Sequence, residues 1–299
     1  MGKNMNGAFV SKVLLEELKD YITMKNNAHK LGLVDISIGS EFGGKVYANM
    51  KKKQLEATGC FSVLAKHYDE ISFEQLCNDL LFYNSSEDFD GVMLQLPLPE
   101  YLKKYERTIL DFIDLKKDVD GLNSSSLGRL MVGKDGMVPC TPKGIITLLK
   151  VYDIDFIGKN VCIINRSNIV GKPLEQLFVH EDSTTTLCHS KTSNLIEITK
   201  NADILVAALN KREYIDSNYV KDGAIIIDVG VHKNEQGKVV GDVDYHSVYK
   251  KCSFITPPTG GVGPMTICML AYNTAKSFYG PEVDEVLNRG IEKAKVLVK

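Results

Sequence analysis

No apolar run in this chain approaches the roughly 20 residues that a membrane-spanning helix requires. The N-terminal stretch Met1–Asp20 lacks an apolar segment followed by a small-residue cleavage site, and its acids come too early for a transit peptide. Met-Gly at the start is too weak a signal for myristoylation, because Asn6 stands where that motif needs Ser or Thr. There is no CxxC pair either. The seven cysteines (60, 77, 140, 162, 188, 252 and 268) are scattered, and several sit inside apolar runs such as Val161–Ile164. They read as small buried hydrophobes of a reducing compartment, neither disulfides nor metal ligands. A net charge of −2 supplies no strong field for nucleic acid or an acidic membrane. Repeats and low-complexity tracts are also missing. These absences point to a soluble, cytoplasmic protein.

What is present is an ordinary globular balance, 44% hydrophobic and 25% charged over 299 residues, enough for two domains or one large one. Helical and strand patterns alternate, which favours an α/β class with parallel sheets. Helices are predicted over Val10–Asn26, Val46–Thr58 and Phe73–Tyr83, with strands at Leu33–Ile38 and Gly91–Leu96. Lys116–Arg129 has turn chemistry and reads as a functional loop. A second unit opens at Thr141-Pro142, read as helix cap and first turn. Strands at Asn160–Ile164, Thr184–Cys188, Ile204–Ala208 and Ala224–Val229 then alternate with helices at Val170–Val179 and Asn194–Lys200, and Val239–Val243 is a candidate further strand. That rhythm is Rossmann-like. The expected organisation is an N-terminal α/β catalytic domain, residues 1–140, and a Rossmann-like nucleotide-binding domain, residues 141–264, with a cleft between them. The C-terminal segment 265–299 begins with a helix, Met265–Phe278, returning to the first domain, and ends in an exposed helix from Glu282.

Two places carry chemistry in the second unit. The turn Asn165–Pro173 links a strand to a helix, where helix amides and the dipole favour a pyrophosphate. It lacks the GxGxxG pattern, so alone it is a weak signal. At the end of the next strand stands His189-Ser190-Lys191-Thr192, where a site for NAD would carry Asp or Glu against the ribose hydroxyl. A hydroxyl and cations, with Arg166 from the first turn, suit the 2′-phosphate of NADP. The competing reading is that Arg166 and Ser190 merely cap local turns.

In the first unit Tyr47 and Lys51 share one helix face. A lysine partly desolvated beside a phenol can act in proton transfer, although Tyr-x3-Lys is also common on plain surfaces. Lys52 and Lys53 read as a solvated face. Gln95 interrupts the apolar strand Gly91–Leu98, where a buried amide must find partners, either backbone or ligand. Asp120 precedes Gly121 in a run of turn chemistry; a carboxylate there can also accept two parallel bonds from an amino-pyrimidinone edge. Thr256–Thr266 packs three glycines and three prolines into a turn before a helix. It is either a plain turn or a backbone surface for a flat ligand.

Together these segments resemble one family, the bifunctional methylenetetrahydrofolate dehydrogenase/methenyltetrahydrofolate cyclohydrolases. The matching phrases are Tyr47-x3-Lys51-x-Lys53, Gly91–Pro99, Lys117–Leu122, Pro139–Gly144, Arg166–Pro173, Cys188–Thr192 and Gly260–Thr266, in the family's order. The resemblance implies oxidation of 5,10-methylenetetrahydrofolate to the methenyl form with NADP, then hydrolysis to 10-formyltetrahydrofolate at the same folate site. It implies Lys51 as general acid/base, Gln95 tuning it, Tyr47 stacking on the folate and Asp120 anchoring the pterin. Leu94, Leu96, Thr259, Gly260, Gly261 and Pro264 would complete the folate surface. Asn165, Arg166, Ser167 and Ser190 would hold NADP, with Val231 beside the adenosine. The family is dimeric, needs no metal and serves one-carbon metabolism, including purine biosynthesis. Three positions depart from its usual pattern: Asn165 for Gly, Gly44 for Ser and Thr259 for Pro. The alternatives are a monofunctional, NAD-using dehydrogenase and a non-catalytic folate or nucleotide binder. A short-chain dehydrogenase fits poorly, because there the Tyr-x3-Lys pair follows the nucleotide turn.

Overall fold

The computed structural model describes residues 2–25, 29–39 and 42–299, apart from the side chains of 42–47 and 50. In chain order the first elements are β1 (Lys3–Asn4), α1 (Gly7–Met24), β2 (Leu31–Ile38), α2 (Phe42–Glu56), β3 (Phe61–Tyr68), α3 (Phe73–Ser85) and β4 (Gly91–Leu94). Three short helices follow, α4 (Glu100–Lys103), α5 (Glu106–Asp111) and α6 (Ser124–Met131), then α7 (Cys140–Val151). The next stretch runs β5 (Asn160–Ile164), α8 (Gly171–His180), β6 (Thr184–Cys188), α9 (Leu195–Thr199), β7 (Ile204–Ala207) and β8 (Ile225–Asp228). The chain ends with β9 (His232–Lys233), β10 (Val239–Val240), α10 (Tyr245–Tyr249), β11 (Phe254–Ile255), α11 (Val262–Tyr279) and α12 (Glu282–Val298).

Contacts divide the chain into two compact units. One comprises Leu14–Cys140 and Met269–Gly290. Its sheet has the order β3-β2-β4, all parallel, with Asp35 in register with Ala65 on one side and Met93 on the other. Parallel neighbours need crossovers, and α2 and α3 supply them. Period-two alternation then sorts the side chains. Val34, Ile36, Val92 and Leu94 enter an apolar core with Leu76, Leu80 and Tyr83 of α3. Asp35, Met93 and Gln95 alternate with them and so face the other way. Ser72 caps α3 by accepting from the Gln75 amide at 3.1 Å. Beside β4, Val92 bridges to Asp118, extending the sheet edge with the 114–121 turn.

The other unit comprises Met1–Val13, Thr141–Cys268 and Ile291–Lys299. Its six strands, in the order β1-β11-β8-β7-β5-β6, are all parallel. Ile164 pairs with Cys188 on one side and Ala207 on the other, so the strand order reverses at the carboxyl end of β5. That is where a doubly wound sheet opens a ligand crevice.

Several expectations change in detail. Lys3–Asn4 pairs with β11, so the first residues make their contacts with the later sheet rather than within residues 1–140. Lys116–Arg129 is not wholly a loop: Asn123 accepts from the Ser125 amide at 2.8 Å and starts α6. Val239–Val243 contributes β10, which pairs with β9 in an antiparallel hairpin rather than joining the sheet. Helix α7 begins at Cys140, and the Thr141 hydroxyl meets that of Thr266 at 3.0 Å instead of capping the helix. Helix α12 buries Val283, Val286, Leu287, Ile291 and Ala294 and exposes only its other face. None of the seven cysteines is in a disulfide, and all are buried.

One buried carboxylate knots the loops beyond β7 and β8. Asp242 accepts from the amides of Leu209 (2.7 Å), Asn210 (3.1 Å) and Lys211 (2.8 Å), and meets His232 Nε2 at 2.7 Å. Truncation would strand three amides, each costing about 1–3 kcal/mol when left unpaired in the interior, less whatever water recovers. We therefore expect Asp242→Ala to lower unfolding free energy by roughly 3 kcal/mol, measured by urea denaturation.

Candidate active site

The first cluster lies on the polar face of the β3-β2-β4 sheet. Helix α2 brings Lys51 down onto that face, leaving it 2% exposed. Its Nζ is 2.8 Å from Asp35 Oδ2, 2.9 Å from Gln95 Oε1 and 3.3 Å from Met93 Sδ. The strand register explains the grouping. Asp35 and Met93 are lateral neighbours, and Gln95 is the next residue of β4's path on the same side. Gln95 is held by its own amide, which donates to Ile36 O at 2.8 Å, and its Nε2 reaches Leu96 O at 3.4 Å. Lys53 is exposed and half-buried Lys52 donates to Val63 O, as solvated-face residues do. The Tyr47 side chain lies outside the described residues, as does that of Gly44's helical turn.

The Asp118–Gly121 turn separates two carboxylates by role. Asp118, 1% exposed, accepts from the amides of Leu122 (3.1 Å) and Asn123 (2.9 Å) and from the Ser126 hydroxyl (2.6 Å). It builds the turn. Gly121 must be glycine: its φ is +70°, and a Cβ there would come within 2.6 Å of the Val138 carbonyl carbon. Asn273 of α11 pins Val119 O at 2.8 Å and Val138 O at 2.9 Å. So freed from turn duty, Asp120 is partly buried, and burial pushes its acid up to about 6 against the opposing pull of the Lys51 charge. Asp118 and Asp35 add repulsion, while the Cys140 thiol donates to Asp120 and favours its charged form. Leu94, by contrast, is 1% exposed in the apolar core, so its side chain faces away from this cluster; Leu96 is half-buried against the same core.

In the other unit, Arg166 and Ser190 leave the carboxyl ends of the adjacent strands β5 and β6. Both are exposed, and among the described residues no carboxylate pairs with Arg166. Asn165 organises the turn. Its Nδ2 donates to Ala208 O at 2.6 Å, and its Oδ1 accepts from the amides of Ser167 (2.8 Å) and Gly171 (3.1 Å). Ser167 Oγ accepts from Val170 N at 3.1 Å, and Ser167 O from Lys172 N. The opening amides of α8 are thus taken up within the turn, and Pro173 has none. What remains for an anion is the exposed loop: nothing among the described residues accepts from the amides of Arg166, Asn168 and Ile169. With Lys191 also exposed and no acid after β6, the donor set fits a phosphorylated ribose and not a bare one. Val231, 69% exposed, follows β8 on the same edge. Thr259 is exposed and Gly260 has φ +79°, its carbonyl accepting from Ala8 N at 2.9 Å. Gly261 is buried, and Pro264 is in the first turn of α11.

Two residues of these clusters escape sequence reasoning. Asp35 interrupts the apolar strand Leu31–Ile38 just as Gln95 interrupts its own, and that was the available signal. Cys140 gave none.

A doubly wound parallel sheet with a cationic crevice, and a separate sheet bearing a buried amine among carboxylates, define a nucleotide-dependent α/β enzyme. Sequence profiles of the tetrahydrofolate dehydrogenase/cyclohydrolase catalytic domain and NAD(P)-binding domain match residues 5–120 and 139–280. The bifunctional protein FolD of Agathobacter rectalis is 42% identical over 278 residues, covering 93% of this chain and 99% of its own. The crystal structure of the bifunctional FolD dehydrogenase/cyclohydrolase from Campylobacter jejuni superposes with a TM-score of 0.87 at 37% identity, covering 93% and 98% of the two chains. That of the Trypanosoma brucei dehydrogenase-cyclohydrolase, complexed with NADP cofactor and inhibitor, gives 0.87 at 29% identity, covering 93% and 97%. The chain belongs to the tetrahydrofolate dehydrogenase/cyclohydrolase family.

The raised Asp120 acid has a sign that can be checked. Its folded-state value, about 6, exceeds the ordinary carboxylate value of 3.8, so its favourable contribution is full below 3.8 and lost as pH rises through 6. Replacing it with neutral Asn removes that penalty. Thermal melts should show Asp120→Asn more stable than the parent at pH 8, by roughly 2 kcal/mol, with the gap closing towards pH 4.

Proposed function

We propose that the chain oxidises 5,10-methylenetetrahydrofolate to 5,10-methenyltetrahydrofolate with NADP and hydrolyses the product to 10-formyltetrahydrofolate. Family membership supports both activities, and the observation that carries the hydrolytic half is the buried Lys51 amine 2.9 Å from Gln95 Oε1. NADP, when bound, supplies the hydride acceptor. Arg166 and Ser190 hold its 2′-phosphate, and the exposed amides of the Arg166–Ile169 loop meet its other phosphates, with Asn165 and Ser167 fixing the loop between them. Val231 lies against the adenosine part.

Lys51 is the general acid/base of hydrolysis, oriented by Gln95. Asp120 accepts paired hydrogen bonds from the pterin edge, a task left open to it because Asp118 builds the turn. Tyr47, one helical turn before Lys51, stacks on the folate. The backbone of Leu94 and Leu96 contributes to the substrate surface of this unit, and Thr259, Gly260, Gly261 and Pro264 are further substrate-binding residues in keeping with the family resemblance. Residues 14–140 and 269–290 serve as the catalytic unit, and 141–268, joined by the strand at 3–4, as the NADP unit. A buried amine held among polar partners is an expensive feature that a mere binder does not need, which disfavours the non-catalytic reading. In keeping with the family resemblance, the protein works as a cytoplasmic homodimer supplying one-carbon units for purine biosynthesis.

Lys51→Met should abolish methenyl hydrolysis, at least about 100-fold, while NADP still binds with unchanged affinity by calorimetry. Preserved hydrolysis would remove Lys51 from its role. For the cofactor, steady-state turnover with methylenetetrahydrofolate should favour NADP over NAD. Arg166→Ala should raise the KM for NADP about tenfold and leave that for NAD nearly unmoved; equal effects on both would argue against a 2′-phosphate contact.

A further inference from the structure

We propose that Asp35 is a positioning residue for the hydrolytic step, a counter-carboxylate that aims the Lys51 amine and stores the proton that hydrolysis releases. The inference rests on the reading of Lys51 as the acid/base. Three observations support it. The Asp35 side chain is completely buried, with Oδ2 2.8 Å from Lys51 Nζ. Among the described residues, neither of its oxygens has a hydrogen-bond partner beyond that ion pair, so Oδ1 accepts from none of them. And β2 places it in register with Met93, on the side of the sheet where Gln95 completes the amine's surroundings. A purely structural carboxylate, such as Asp118 or Asp242, is instead saturated by backbone amides.

Hydrolysis of a methenyl cation consumes water and yields the formyl product plus one proton. With Asp35 beside it, Lys51 can pass a proton to the carboxylate and become a neutral amine without sending charge to solvent. That amine takes a proton from water as the water oxygen bonds to the bridging carbon. The ammonium then protonates N5 as the bond from carbon to N5 breaks, and the regenerated amine takes the hydroxyl proton as the carbonyl forms. Lys51 ends as it began, as the ammonium. The net proton sits on Asp35 and leaves to solvent when product departs. Among the described residues, the charged groups facing the amine include Asp35 on β2 and, at longer range, Asp120; Met93 on β4 and Gln95 just beyond it, which also touch it, are neutral.

The test measures hydrolysis and NADP-dependent oxidation on the same preparations of the parent, Asp35→Asn, Asp35→Glu and Lys51→Met across pH 6–9. For Asp35→Asn, kcat for hydrolysis should fall about tenfold or more with KM for the methenyl substrate within about twofold. The ratio of hydrolysis to oxidation should fall, and the pH profile of residual hydrolysis should move to lower pH. Asp35→Glu should recover part of kcat. Parent-like kcat and pH profile in Asp35→Asn, with Lys51→Met inactive, overturns the Asp35 role alone; normal hydrolysis by Lys51→Met overturns the underlying reading instead. Should Asp35→Asn fail to fold, nitrogen-labelled lysine NMR of the parent decides. A slowly exchanging ammonium signal that is missing from Lys51→Met supports the pair, and its absence overturns it.

Discussion

A lysine ammonium buried to 2% exposure is tolerated only where carboxylate and amide acceptors replace its water, because desolvating a single charge costs several kcal/mol even after relaxation. That constraint organises the smaller sheet. It requires an acid on β2 and a neutral acceptor on β4, both on the side covered by α2. The opposite side is then free to be wholly apolar, and it is: Val34, Ile36, Val92 and Leu94 join the core with α3. A one-residue slip of β2 against β4 would put Asp35 in that core and Ile36 against the amine. Register, core and reactive group are therefore a single specification.

The larger sheet obeys a different constraint. Its strands run one way, so every βα turn with chemistry emerges on one edge, and the order reversal at β5 opens the crevice there. The turn itself is shaped by an unusual choice. Asn165 spends its amide on Ala208, Ser167 and Gly171, using side-chain bonds to close a turn that a glycine would leave to backbone alone. Gly171 answers it, since any Cβ at that position would collide with the Asn165 carbonyl. The effect is a pre-shaped loop with several amides not taken up by described residues, a form of preorganisation that lowers the ordering cost of binding.

How much of this could be read in advance depended on whether the physics was local. Apolar runs and helical spacing marked β2, β4, β5, β6 and α3 closely, and Gln95 stood out as a polar residue in an apolar strand. Strand β3, Phe61–Tyr68, did not, because only Phe61 and Val63 of its alternate residues are fully buried and Lys66 and His67 blur the pattern. Helix α6 hid behind serines, whose turn propensity was real but served its start, with Asn123 as cap. Asp118 and Asp120 are indistinguishable by sequence, two acids flanking Val119 before a glycine. Which one builds the turn follows from backbone direction, a tertiary fact. Asp35 carried the same signal as Gln95 and lacked only a partner in view, for its significance comes from Lys51, which reaches it across the fold.

That asymmetry says something about how the site holds together. Lys51 has a carboxylate, an amide oxygen and a thioether around its nitrogen, at 2.8, 2.9 and 3.3 Å. The first two are strong acceptors, and the charged one gives a bond about twice as strong as a neutral pair. The thioether is the weakest, since sulfur accepts poorly. Of these three described contacts, two are firm and one is weak. The two firm acceptors fix the aim of the amine, which is what the acid/base role proposed for it requires while a proton changes hands.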